Sequence, residues 1–430
     1  MKTIIINVSR LKKISLLTCC FLCLVSHSGF VCAVSVSVTE KLSTKAEQGN
    51  VQAQLELGKL YLDSGKDGAT LAYPLLLKAA GAGDKEARRL VASMYLTGKG
   101  VNQDRQKGLF WLRKLAWGGA VNDQLRLGQE LLRGEGKEEL EEAYSWVLRA
   151  ARKGSEVGWR LVADMYQKGR GVEQDIGKAI YWLNKLAEHG DVTALNQLGW
   201  LYYKGEVVRK DYSVAHSFFL KAGQCGDKEA SSKLSDMFFY GEGVERDLGK
   251  AFFWTEKAAE AGESRAQYNL AIMYEKGDGV ARSGTEAVKW FQRAADQGHV
   301  EAKVNLAWRY RKGIDLFQDD TKAFYWYRQA ADQGNVGAQY NLGKMLAKGI
   351  GVQQSDQRAF YWWNKAARQG YLLAQSRVGF CYANGVGVSR DLSQAYDWWD
   401  LAAGGGDETS KRNLQLFCKR YQEVCRDKKG

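Results

Sequence analysis

The feature that most constrains this chain is a period of 36 residues, held in one register through most of its length. Trp146, Trp182, Phe218, Trp254, Trp290, Trp326, Trp362 and Trp398 stand at that interval. Gly154, Gly190, Gly226, Gly262, Gly298, Gly334, Gly370 and Gly406 stand at the same interval. A second column marks the other half of each unit. It runs Ala194, Ala230, Ala266, Ala302, Ala338 and Ala374, each followed four residues later by Leu198, Leu234, Leu270, Leu306, Leu342 or Val378. Self-similarity at such a period is the mark of a repeat architecture, in which one supersecondary unit is copied along the chain.

Each unit reads as two helices. Between Ala266 and Gly298, the apolar positions Ala266, Leu270 and Tyr274 fall on one helical stripe and stop at Gly277-Asp278-Gly279-Val280. Glycine closes a helix in the left-handed conformation without a steric penalty. The Gly-x-Gly-Val turn recurs at Gly98, Gly169, Gly241, Gly277, Gly349 and Gly385, and Asp104, Asp175, Asp247 and Asp391 follow where a side-chain oxygen can cap a second helix. That helix carries Ala287, Trp290, Ala294 and Ala295 on one stripe and ends at Gly298. Small alanines facing a large indole let neighbouring helices approach closely. Such a hairpin cannot bury its apolar face alone, so neighbours must stack.

The expected fold is all-α: an α-solenoid of about ten 36-residue helix-turn-helix repeats over residues 51–407. A lead-in at 34–50 precedes them. A segment at 408–430 follows, beginning like another first helix with Leu414 and Cys418 in the leucine and tyrosine columns, and should cap the last unit before a basic tail. Only one proline, Pro74, stands against 47 glycines, which argues against conventional linkers. The first unit, 51–84, lacks the Gly-x-Gly-Val turn, and the unit at 121–155 has Lys137 where the valine belongs.

The combined pattern resembles the Sel-one-like repeat (SLR) family, a relative of the tetratricopeptide repeat. Ala194, Leu198, Gly199, Tyr202, Gly205, Asp211, Lys221 and Ala222 carry it in one unit, and Gly169, Gly171, Val172, Asp175, Lys178, Ala179, Trp182, Lys185 and Gly190 in the unit before. The resemblance implies a scaffold or adaptor. Bacterial members are often exported and serve envelope assembly, regulation of peptidoglycan enzymes or contact with host cells. Some cysteine-rich relatives are linked to penicillin binding through a regular cysteine pair per repeat, which this chain lacks.

Export is also written in the N-terminus. Lys2, Arg10, Lys12 and Lys13 precede the apolar run Ile14 to Val25, and Val31-Cys32-Ala33 has small residues at the cleavage positions. Residues 1–33 therefore read as a signal peptide. The run is shorter than the ~18 to 20 residues that span a bilayer, so stable membrane insertion after its removal is not expected. Gly29-Phe30-Val31 before Cys32 fits a lipid anchor poorly. Removal takes away four basic and no acidic residues, so the net charge of +13 becomes +9 and the mature chain is secreted or periplasmic and basic. Four of eight cysteines leave with it. Of Cys225, Cys381, Cys418 and Cys425, the last two would lie ~10 Å apart on an unbroken helix and could pair only if the helix breaks between them.

No catalytic, cofactor-binding or metal-ligating residues are nominated. His189, His216 and His299 occupy different places in their units, and the glycine turns lack the preceding strand and the Gly-Lys-Ser/Thr tail of a phosphate loop. Two surfaces remain. On the second helices, Lys114, Arg149, Lys185, Lys221, Lys257, Arg293 and Lys365 lie four residues from a column holding Phe110, Tyr181, Phe253, Tyr325 and Tyr361. This stripe suits an acidic glycan, although lysine stems covering a neighbouring helix explain it as well.

On the first helices, positions three, six and ten after the alanine share a face. They read Gln197-Trp200-Lys204, Asn269-Ile272-Lys276, Asn305-Trp308-Lys312 and Asn341-Lys344-Lys348. By resemblance to tetratricopeptide arrays this face lines a groove, where amides pair with a peptide backbone, Trp anchors and Lys meets carboxylates. The plainer account buries the amides as polar contacts between repeats. The expected partner is a protein bound along this face, with an acidic glycan as the second candidate. Nucleic acid is not expected of an exported chain.

Overall fold

A computed structural model of the protein describes residues 39–428; the signal-peptide reading of 1–33 lies outside them, as do Cys19, Cys20, Cys23 and Cys32. All regular structure among the described residues is helical. The chain divides into two compact units between Asp191 and Val192.

In the second unit the hairpin at 264–299 shows why the sequence folds as it does. Its first helix, Ser264–Lys276, closes at Gly277 with φ 84°, whose N–H donates to the Met273 carbonyl. Ser283 then caps the second helix, Gly284–Asp296, by accepting from the Glu286 N–H. Elsewhere the expected aspartates do this, Asp104, Asp175, Asp247 and Asp391 each accepting from the N–H three residues on. The second turn glycine has a separate role. Gly279 has φ 73°, and a Cβ there would sit 2.0 Å from the Leu248 carbonyl oxygen of the preceding repeat, so only glycine lets the turn close on its neighbour.

The tryptophan column is inward, with Trp146, Trp182, Trp254, Trp290 and Trp326 buried, while Trp362 and Trp398 are half-buried. The residue after each lies deeper. Val147 in the first unit, and Phe219 and Phe291 in the second, have no exposed surface. Where the outer Trp loosens, Trp363 and Trp399 take the core place.

One repeat departs from the rest. Arg309 stands where Met237, Met273 and Met345 stand in other repeats and is 0% exposed. Its guanidinium reaches Asp315 Oδ2 at 2.6 Å and Glu275 Oε1 of the preceding repeat at 2.5 Å. Asp315 replaces the second turn glycine and is the one non-glycine residue with positive φ, 61°, among the described residues. It fits because Gly284 opposes it: a Cβ on Gly284 would lie 2.0 Å from Asp315 Oδ1. Three substitutions in two repeats thus form one compensated set.

At the C-terminus, helix Glu408–Arg420 ends at Tyr421 and a short helix Gln422–Asp427 turns back. The break brings the Cα atoms of Cys418 and Cys425 to 5.6 Å, and the two are disulfide-bonded. Cys225 and Cys381 are free thiols.

Candidate partner-binding face

The first helices of the second unit carry the nominated residues at matching positions, but with different surroundings. Gln197, Lys204, Lys276, Lys312, Lys344 and Lys348 are exposed, while Asn269, Asn305 and Asn341 are half-buried. The two tryptophans differ. Trp200 is half-buried, donates its indole N–H to Glu229 Oε1 at 3.0 Å and meets the Phe219 ring edge-on at 5.4 Å. Trp308 is 42% exposed. Asn305 donates its side-chain amide to the Glu301 carbonyl of its own helix at 3.0 Å, whereas the Asn269 side chain makes no hydrogen bond within the protein.

Two recesses open on this face. One, of about 120 Å³, is bounded by first helices Lys228–Tyr240 and Ser264–Lys276 and brings Asn269 and Lys276 together with Asp236. The other, of about 180 Å³, lies among Tyr340, Arg377, Phe380 and Asn413. Asp236 escaped the sequence reading because its repeat reads Lys233, Asp236 and Tyr240 at the three positions, breaking the amide-apolar-lysine pattern. Within the second unit it is the one acid in the column Trp200, Asp236, Ile272, Trp308, Lys344, Phe380. That contrast was the available signal.

The second helices present the other surface. Phe253, Tyr325 and Tyr361 are about half exposed, and Lys257 lies 5.8 Å from the Phe253 ring centre. Arg328, Arg358, Tyr361 and Trp362 line a recess of about 330 Å³. In the first unit Phe110 and Tyr181 are similarly exposed, with Lys114 at 4.6 Å and Lys185 at 5.3 Å from their rings.

The Sel1 repeat model matches ten consecutive segments: 51–84, 85–116, 122–155, 160–191, 192–227, 228–263, 264–299, 300–335, 336–371 and 372–407. The chain belongs to the Sel1 repeat family. A protective antigen present in uropathogenic Escherichia coli strains, whose crystal structure displays an SLR fold, is 31% identical with a TM-score of 0.52, the match covering 89% of this chain and 90% of that one. A Sel1 repeat protein from Oxalobacter formigenes is 29% identical with a TM-score of 0.58, over 72% of this chain and 90% of that one. No curated protein matches the chain. Repeats of this family generally mediate protein–protein interaction.

Within the Sel1 repeats a buried amide column does exist, but it is not the nominated one. It stands one residue after the alanine, where Gln267, Gln339 and Gln375 each donate Nε2 to the carbonyl eight residues earlier, at 3.1 to 3.2 Å. Those carbonyls lie in the last turn of the preceding second helix and each also accepts from the N–H of the glycine three residues on, so each glutamine side chain is a second donor that ties its repeat to the helix C-terminus of the repeat before. Gln297 and Gln369 extend the network to Gln267 and Gln339 at 2.7 and 2.8 Å. The recurring Ala-Gln pair was the legible trace of it.

The histidines are dispersed. His189 meets Glu156 at 3.2 Å, His216 faces the Phe238 ring, and His299 stacks on Tyr268 and caps the helix Val300–Lys312. Burial lowers the pKa of both His216 and His299.

Proposed function

We propose that the chain is an exported, non-catalytic scaffold that binds a protein partner along the first-helix face of its second unit, secreted or held in the periplasm. The observation that carries this reading is Trp308. An indole 42% exposed, on the same helix face as Asn305 and the exposed Lys312, offers the anchor area that interfaces favour. The Cys418–Cys425 disulfide supports export, since such bonds persist in oxidising compartments. So does the 31% identical relative, itself a protective antigen.

Trp308→Ala with Lys312→Ala should weaken capture of the partner from envelope or secreted fractions by ~10-fold or more, the scale of an anchor lost from an interface. The thermal midpoint should stay within a few degrees, because neither side chain is buried. Trp200 is a poorer target, being tied to Glu229 and Phe219. Undiminished capture by the double variant would dispose of the first-helix reading.

A second reading follows from the half-exposed Phe253, Tyr325 and Tyr361, of which Phe253 has Lys257 over its ring and Tyr361 lines a recess with Arg328 and Arg358: this stripe binds an acidic glycan. Tyr361→Ala with Arg358→Ala should then abolish retention on an immobilised uronic-acid polymer and leave protein capture intact.

A further inference from the structure

We infer that the recess between first helices Lys228–Tyr240 and Ser264–Lys276 is a subsite for one cationic side chain, lysine or arginine, of an extended protein segment, with Asp236 as its counter-charge. The inference rests on the first-helix face being the binding face and names what that face selects.

Its size restricts the occupant. Its volume of about 120 Å³ is below the ~150 Å³ of a cavity that accommodates a benzene. That is a size suited to one long side chain entering from the surface. The walls are Phe239, Tyr240, Ile272 and Met273, which suit an aliphatic stem and, through the two rings, a cationic head.

The floor decides the charge. Ser235 and Thr255 share a hydrogen bond of 2.5 Å, and Thr255 also donates to the Ala251 carbonyl at 2.8 Å, so both hydroxyls are occupied. Asn269 has no partner. Asp236 has only Arg265, at 3.6 Å on a largely exposed side chain. Lys233 is committed to Glu242 at 3.1 Å and to the face of Tyr203. Lys276 stands exposed at the rim, with Asp278 beside it. Burial raises the Asp236 pKa, with Glu242 adding to the effect and Arg265 and Lys233 opposing it. An apolar side chain entering the recess would strip water from this carboxylate and give nothing in return, and an acidic one would repel it. A cation satisfies Asp236 directly and takes Asn269 Oδ1 as a second acceptor.

The test uses the full chain and three fluorescently labelled pentapeptides, alanine at four positions and lysine, norleucine or glutamate at the centre, followed by anisotropy. The lysine peptide should bind at least ~10-fold tighter than norleucine, and the glutamate peptide weakest. Asp236→Asn should erase that order without altering the thermal midpoint, and Asn269→Asp, adding a second carboxylate, should sharpen it. Equal binding of the three peptides, or an order that survives Asp236→Asn, overturns the subsite. Trp308→Ala with Lys312→Ala separates the two readings, because these residues lie outside the recess. If that variant loses the natural partner while the peptides show no order, the face binds but the subsite falls. If the peptide order is present and partner capture is unaffected, the subsite stands and the wider binding-face reading falls.

Discussion

His299 shows how much one position can carry and how little of that its letter reveals. The same place in other repeats holds Asp227 and Asn335, both residues suited to start a helix, so the capping role of His299 was readable from its column. The stacking of its ring on Tyr268, centres 4.6 Å apart, was not, because it depends on the register between two repeats. Its Nδ1 accepts from the Ala302 N–H only when unprotonated. Burial pushes its pKa below the ordinary histidine value of about 6.5, Glu301 opposing, so the unfolded chain binds that proton more strongly than the folded one. The stability it contributes is therefore complete above the unfolded pKa and is lost as pH falls through it towards the lower folded value. Asn335 performs the same cap one repeat later, accepting from Ala338 N–H at 2.8 Å. His299→Asn should accordingly keep the helix start and reduce the fall in thermal midpoint between about pH 7.5 and about pH 5.5, with the part owed to His216 remaining. An identical fall in the variant and the wild type would mean that His299 does not titrate on unfolding.

Among the elements, the second helices and the C-terminal pair mark where periodicity stops informing. Regular recurrence made the tryptophan column conspicuous, yet the deeper column reads Val147, Leu183, Phe219, Thr255, Phe291, Tyr327, Trp363 and Trp399. A core place that accepts many shapes is filled by complementary packing, so its burial leaves no repeating letter. The C-terminal break is similar. Neither glycine nor proline stands at Tyr421; its ring lies 4.9 Å from that of Phe417, and its hydroxyl accepts from Arg390 Nη2 at 2.6 Å. Tertiary contacts choose the break, and the sequence could state only the condition for a disulfide. Cys418→Ser with Cys425→Ser releases a constraint worth about 2.5 kcal/mol for so short a loop. Amides of Gln422–Asp427 should then exchange with solvent much faster, while those of Leu392–Gly404 keep their protection. Unchanged exchange in the short helix would show that Tyr421 and Arg390 hold it without the covalent bond.

For the whole molecule, ten repeats in one register promise modularity: repeats contact mainly their neighbours, stability is close to a sum of local terms, and one unit should be removable. The structure makes that promise conditional on which unit is taken. Removing 336–371 joins repeat 300–335 to 372–407, and Gln375, which donates to the Ala367 carbonyl, would find the Ala331 carbonyl in the same place. Removing 264–299 is different. Arg309 would lose Glu275 and find Phe239 at the equivalent position, while Asp315 would meet Leu248 where Gly284 had left room. A fully buried guanidinium without one of its two carboxylates, added to a side-chain clash, should cost several kcal/mol, since breaking a buried pair costs about 3 to 5 kcal/mol. The 336–371 deletion should therefore retain cooperative unfolding with proportionally less helical circular dichroism, and the 264–299 deletion should melt at least ~10 °C lower than it does. Adding Arg309→Met and Asp315→Gly to the 264–299 deletion restores the residues found in the other repeats and should recover most of the difference. If the two deletions melt alike, the Arg309 set is not coupled to its neighbour, and every repeat is as interchangeable as the 36-residue period alone implies.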